Sequence, residues 1–435
     1  MFGTSATSLV PPGPRRGGSA SPTSRVRPRP LPDHDNSGIT RGYPAGSVRW
    51  VIQQTIESRP TEREPDATRV RFRHRQRTGP TPATVSAPAA GSPRAQWADA
   101  AKGVCIVLVV LWHVVVKDYL QIDWHIGVPV PGFWGTLGEQ FLPLRMPLFF
   151  TISGVFAANA AQRPWRLVAR GRIAGFLYLY AVWLLIHTAV LAAAPQLPTD
   201  RATSALGLLE QLTITPSNLW YLYALAVYFT IAKATRRLPR TLVLLPAAAL
   251  SAVAAAGLLD TPGNRAGLYQ NLVFFLAGLS LRPQIERWAA TANRRRLVLT
   301  SGAYVLALAA MAVTGAQQWF GVWPAVSVLA VIFGITAAAR LTSWSVLSDP
   351  LARLGRITLP IYVVHMPVLA LLHRLLLVPV SGLGGSAQGL IVFGYPILLT
   401  GLVIGLSLAV HRALLAVRAG WLFALPGRRR VEAAR

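Results

Sequence analysis

The sequence predicts an all-α, polytopic integral membrane protein of about ten transmembrane helices, and three observations predict it. Of its 435 residues 52% are hydrophobic and only 14% charged, against about 25% charged in a soluble globular chain. Mean hydropathy is +0.42. From Trp97 onward the chain reads as apolar segments near the ~20 residues a bilayer span needs, separated by short basic stretches. The net charge of +27 would otherwise point to nucleic acid. No nucleic-acid partner is expected here, because the basic residues sit between long apolar runs.

Residues 1–96 differ from the rest. They are rich in Pro, Arg, Ser and Gly, as in Pro11-Pro12-Gly13-Pro14-Arg15-Arg16, and hold 15 Arg against 6 acidic residues. So little apolar surface cannot offset the entropy of ordering, and the segment reads as a disordered cytoplasmic tail. It lacks the apolar core of a secretory leader. The membrane domain is expected over 97–415. A basic cytoplasmic end, 416–435, follows with Arg428, Arg429 and Arg430. The expected spans are 101–117, 140–159, 173–194, 218–232, 242–258, 268–281, 297–314, 319–339, 357–379 and 388–410. The fourth and sixth are short.

The connections orient the chain. With the N-terminus in the cytoplasm, the inner loops 160–172, 233–241, 282–296 and 340–356 hold sixteen Lys or Arg. The outer loops 118–139, 195–217, 259–267, 315–318 and 380–387 hold only Arg201 and Arg265. That asymmetry predicts a multi-pass protein of the inner membrane with both termini cytoplasmic. No internal repeat is visible. The single cysteine, Cys105, allows no intrachain disulfide. No metal-ligand spacing and no Gly-rich phosphate loop occurs.

Charged and polar groups inside a bilayer are costly, so each needs a reason. In the first span Lys102 and His113 lie eleven residues apart. That is about three helical turns, so both project from one face, roughly 16 Å apart along the axis. Asp99 lies on the same face, one turn before Lys102. A cation at the cytoplasmic mouth and an imidazole deep inside suit a long anionic donor. Its phosphate-bearing head would sit near Lys102 and its reactive arm would reach His113. Imidazole, with an unperturbed pKa of ~6.5, can take a proton from an attacking hydroxyl. On spacing alone, a core histidine with a snorkelling lysine fits equally well.

The first span resembles the opening of the membrane-bound acyltransferase-3 family, whose first helix carries a basic residue, ten others, then His. The family usually has Arg where Lys102 stands, and lysine keeps the charge without the bidentate fork. Met146-Pro147-Leu148-Phe149-Phe150-Thr151-Ile152-Ser153-Gly154 is similar to the family's second-helix signature, closest to the branch of fucose 4-O-acetylases. That branch often has His where this chain has Arg145, an extra cation expected near the outer mouth. Asn218-Leu219-Trp220-Tyr221-Leu222, Phe274-Phe275-Leu276-Ala277-Gly278 and Gly355-Arg356-Ile357-Thr358-Leu359-Pro360-Ile361-Tyr362-Val363-Val364-His365-Met366-Pro367 resemble later family motifs, in order. One region departs: Gly175 and Leu179 stand where the family has Arg and Pro, and the basic patch is shifted to Arg166, Arg170 and Arg172.

The resemblance implies transfer of an acyl group, often acetyl, from cytoplasmic acyl-CoA to a hydroxyl of a sugar, glycan or envelope lipid. It implies no permanently bound cofactor. His113 would be the general base or, as the alternative, a transient acyl carrier. Lys102, Arg170 and Arg172 would meet the donor phosphates. Asp99, Arg145, Trp220, Tyr362 and His365 would line the substrate path. Ser153-Gly154 would permit close helix packing rather than catalyse anything, and His187, which matches no motif, would be structural. A transporter or flippase of a glycan or lipid is the rival from another class. The paired Gly/Pro-broken spans that many such folds show are not found here. A scaffold whose tail binds partners is a third reading.

Overall fold

The computed structural model describes residues 93–426 apart from Val128 and 262–264. The expected disordered tail, but for its last four residues, and the Arg428–Arg430 cluster lie outside the described residues. Those last four residues are helical, because the first helix opens at Pro93.

The described residues form helices and turns without a strand. α1 (Pro93–Lys117) is followed by the short α2 (Val130–Gln140) and by α3 (Leu142–Gln162). α4 (Trp165–Val168) runs through a π-helical turn, Ala169–Ile173, into α5 (Ala174–Ala192). α6 (Ala205–Thr213), α7 (Trp220–Ala234), α8 (Arg240–Ala255), α9 (Ala266–Gln270) and α10 (Leu272–Ser280) come next. Then follow α11 (Arg282–Ala290), α12 (Arg294–Thr314), α13 (Val322–Leu341) and α14 (Ser345–Arg356). α15 (Thr358–Ser381), α16 (Gly385–Ile391) and α17 (Tyr395–Ala416) complete the order.

Among the described residues, seven helical stretches are long and apolar enough to cross a membrane. They account for seven of the ten expected spans. The other three, 218–232, 242–258 and 268–281, fall on shorter helices. α7 has 15 residues, a rise of about 22 Å against the ~30 Å of a bilayer core. It starts inside the protein, where the backbone N–H of Tyr221 donates to the Tyr362 hydroxyl at 3.2 Å. Non-helical backbone at membrane depth is tolerated where protein buries it. Segments expected as loops also carry helices, α2, α6, α11 and α14; α11 and α14 carry several charges each, so their average hydropathy conceals them, while α2 and α6 are apolar but short. α14 buries Ser348, Ala352 and Gly355, one stripe of its surface. The C-terminal end adds a 3₁₀ turn, Gly420–Leu422, whose Leu422 carbonyl accepts from Trp183 Nε1 at 2.7 Å.

The periphery is apolar, as lipid contact requires. Val313 on α12 is 87% exposed and Leu398 on α17 is 74% exposed. α1 runs through the middle, packed by α3, α13, α14, α15 and α17. Two interfaces depend on glycines that bring backbones together. A Cβ at Gly355 would lie 1.7 Å from the Asp99 carbonyl oxygen, and one at Gly103 would lie 2.0 Å from that of Leu351. α1 and α14 therefore touch main chain to main chain. α3 and α10 do the same: a Cβ at Gly154 would meet the Phe275 oxygen at 2.1 Å, and one at Gly278 the Thr151 oxygen at 2.0 Å. Without a hydrophobic drive between helices in lipid, such close packing holds them together.

Gly154→Ala or Gly355→Ala is therefore expected to destabilise the protein by about 1–3 kcal/mol through overpacking. Gly302→Ala and Gly405→Ala, where a Cβ meets nothing within 4 Å, should be neutral or stabilising, since alanine gains up to about 1 kcal/mol of helix propensity. Thermal unfolding of the detergent-purified protein checks both.

Candidate active site

The Asp99 end of α1 is anchored by α14. Gln96 Nε2 donates to Asp349 Oδ1 at 2.9 Å, and Arg356 pairs with Asp99 at 3.8 Å. Beside this joint opens a cavity of about 570 Å³. Its cations are Lys102, Arg172 and Arg356, and Asp99 is its acid. Phe156 lies against Lys102, with the ammonium 5.2 Å from the ring centroid. Arg172 reaches the cavity from the π-helical turn, an element frequent at functional sites.

Phe149, Ser153, Tyr221 and Tyr362 also line this cavity. Phe149 and Tyr221 stack at 4.7 Å, and Tyr221 meets Tyr362 edge-on at 5.4 Å. Polar contacts hold this layer in place. Tyr362 donates to the Asn218 carbonyl at 3.1 Å. The Ser153 hydroxyl donates to the Phe149 carbonyl at 2.8 Å, so it accepts from the Tyr221 hydroxyl at 2.7 Å.

Next to Tyr362 lies a histidine pair that does not line the cavity. His365 is buried and its ring centroid is 6.0 Å from that of Tyr362. His365 Nε2 lies 3.3 Å from His113 Nδ1. Carbonyl oxygens only accept, and that assigns both tautomers. His365 Nδ1 faces the carbonyls of Tyr362 at 2.7 Å and Ile361 at 3.1 Å, so it carries the proton and leaves Nε2 as a lone pair. His113 Nδ1 faces the Val109 carbonyl at 2.8 Å and that lone pair, so it too is N–H. His113 Nε2 is thereby left as the basic nitrogen, on a ring only half-buried.

The structure thus brings Asp99, Lys102, Arg172 and Tyr362 to one cavity and sets His113 and His365 together beyond Tyr362. The remaining expected residues lie elsewhere. Arg170 is exposed and is not among the residues lining the cavity. Trp220 packs on Phe150 at 5.8 Å, while its neighbour Tyr221 reaches the cavity. Arg145, expected near an outer mouth, is buried, with its guanidinium 4.5 Å from the Trp112 ring centroid. His187 donates Nε2–H to the Val363 carbonyl at 2.8 Å. Sequence reasoning missed Arg356 as a site residue. It stands in the Gly355–Pro367 motif, where ordinary positive-inside charge accounts for it equally well.

A second buried polar cluster was also missed. His373 Nδ1 lies 2.8 Å from Asp118 Oδ1, and Tyr395 donates to Asp118 Oδ2 at 2.9 Å. Both Asp118 and His373 are fully buried. The cluster ties the end of α1 to α15 and α17.

The acyltransferase-3 profile, described as an acyltransferase domain, matches residues 95–412. A stretch of 157 residues is 28% identical to the inner membrane protein YcfT of Escherichia coli strain K12. It covers 33% of this chain and 44% of that protein, so the chain spans less than half of the relative's length. No solved structure matches.

His373→Ala should leave the buried Asp118 carboxylate short of a partner and cost about 3–5 kcal/mol. His125→Ala removes an exposed pair with Asp123 and should cost under about 1 kcal/mol. Thermal unfolding of the two variants side by side measures the difference.

Proposed function

The chain belongs to the acyltransferase-3 family, and from that premise we propose that it moves a short acyl group, acetyl in the first place, from acyl-CoA to a hydroxyl of a sugar, glycan or envelope lipid. The observation that carries this reading is the placement of three cations around one cavity, with an oriented imidazole one aromatic layer beyond it. A cavity of that size suits part of a phosphate-bearing small molecule. Lys102, Arg172 and Arg356 receive the donor phosphates, and Asp99 holds Arg356 in position. The thioester then extends toward Tyr362 and the histidines.

His113 acts as the general base through Nε2. It takes the proton of the acceptor hydroxyl as that oxygen attacks the thioester carbonyl. Collapse of the tetrahedral intermediate expels the CoA thiolate, which takes the proton back from His113. The products are an ester and a free thiol, and His113 ends as it began. His365 is a positioning residue: its Nε2 accepts from His113 Nδ1–H and fixes the tautomer.

The charge asymmetry of the loops supports an orientation with the Lys102 end and both termini in the cytoplasm. The name of the Escherichia coli relative, an inner membrane protein, supports the same membrane for this chain. Acyl-CoA would then enter from the cytoplasm.

Acyl transfer by the purified protein tests the reading. His113→Ala should stay folded and lose about 10²–10⁴-fold in rate, the worth of general-base catalysis. Lys102→Gln and Arg356→Gln should raise the KM for acyl-CoA about tenfold, about 1.4 kcal/mol, while Arg170→Gln should leave it unchanged. Wild-type transfer by folded His113→Ala protein would end the proposal. Mass spectrometry of envelope glycans and lipids with and without the gene identifies acceptor and acyl group by a missing mass increment.

A further inference from the structure

For the thioester to reach His113, the layer of Phe149, Tyr221 and Tyr362 between the cavity and the histidine pair has to part. The positions of the three rings in their helices decide which one can leave. A helical side chain is confined by the turn that precedes it. Phe149 is the eighth residue of α3 and Tyr362 the fifth of α15, so each has such a turn. Tyr221 is the second residue of α7, and no turn of α7 stands before it. Tyr362 is also pinned twice through its hydroxyl, which donates to the Asn218 carbonyl at 3.1 Å and accepts from the Tyr221 backbone N–H at 3.2 Å. Moving it would strip a buried N–H at the start of α7 of its partner.

The Tyr221 ring is held by less. Among the described residues its hydroxyl makes one hydrogen bond, to Ser153 Oγ at 2.7 Å. Ser153 keeps its own bond to the Phe149 carbonyl, at 2.8 Å, when the ring leaves. A turn of the side chain leaves the Tyr221 backbone N–H on Tyr362. Opening therefore orphans no buried group. The freed hydroxyl turns into a cavity of about 570 Å³, where water or an amide of the donor can receive it. The loss is one hydrogen bond between neutral groups, a small net term, together with the stacking of Tyr221 on Phe149 at 4.7 Å.

We infer that Tyr221 is the gate between the donor cavity and the histidine pair, that Ser153 is its latch, and that the pair sets how far the enzyme favours transfer over hydrolysis. This rests on the proposed acyl-CoA reaction. With the latch made, the thioester waits on the cavity side, away from the base. With the ring turned aside, the thioester meets His113, and any water there competes with the acceptor. His113 takes one proton from that water as its oxygen attacks the thioester carbonyl. The departing CoA thiolate takes the proton from His113, and the products are the free acid and CoA. Neither Tyr221 nor Ser153 exchanges a proton in the reaction; both are positioning residues.

Release of CoA from acetyl-CoA by the full-length purified protein, with no acceptor added, tests this. Tyr221→Phe keeps the ring and deletes the hydroxyl, and Ser153→Ala removes the latch from the other side. Each should raise hydrolysis about three- to tenfold, the worth of one net hydrogen bond. The KM for acetyl-CoA should move less than about twofold, because the donor phosphates bind elsewhere. The double variant should do no more than either single one, since both cut the same bond. Tyr223→Phe, which removes a hydroxyl of α7 that donates to the Thr213 carbonyl outside the cavity, should leave hydrolysis unchanged. If one latch variant does not fold, the other carries the test. Unchanged or slower hydrolysis in both latch variants, an equal rise in Tyr223→Phe, or effects that sum in the double variant overturns the gate while transfer by the wild type stands. Absence of both transfer and hydrolysis in every protein overturns the proposed reaction, and the gate with it.

Discussion

The backbone contact between α1 and α14 sets the rest of the site. Gly355 against Asp99 and Gly103 against Leu351 leave no room for a side chain between the two helices. That docking puts Arg356, the last residue of α14, beside Asp99 and Lys102. Only Ile357 separates α14 from α15, so the start of α15 is fixed as well. Tyr362 and His365 then follow within its first turns, and His365 arrives opposite His113. One close packing thus aligns both ends of the site on a single helix.

The two ends differ in chemistry because they differ in surroundings. Near Lys102 the cations border an open cavity and can stay hydrated until an anion replaces the water. Around His113 the partners are carbonyls and a second imidazole, which orient a neutral ring and leave one nitrogen for proton transfer. Between them stand Phe149, Tyr221 and Tyr362, held by hydroxyl contacts to main chain and to Ser153. This layer keeps the histidine pair off the cavity wall. Arg145 extends the pattern on another face of α1: a cation buried in an apolar stretch and supported by an aromatic ring.

Much of this was legible in the sequence. Long apolar runs gave the spanning helices, because a bilayer imposes length and hydropathy together. Lys102, Asp99 and His113 could be related because they share one helix, where spacing fixes the face. The Ser153-Gly154 pair is readable as packing, and Gly154 does lie against the Phe275 main chain; the matching approach of Gly278 to Thr151 is not readable. Contacts between distant segments were not readable. The Asp99–Arg356 pair and the Asp118–His373 pair each join residues more than 250 positions apart, and no local pattern encodes them. An amphipathic helix such as α14 reads as a loop because its charged face cancels its apolar face. The early burial of α7 depends on the Tyr362 hydroxyl, which only the folded chain supplies.

The central claim is that the acyl donor enters at the Lys102 end of α1 and points its acyl group at His113. A cryo-electron microscopy structure with a non-hydrolysable acetyl-CoA analogue measures it most directly. The account predicts density for the phosphates among Lys102, Arg172 and Arg356, with the acyl end against Tyr362 and a displaced or opened aromatic layer. Phosphate density away from these three cations, or an acyl end directed away from the histidine pair, would contradict it.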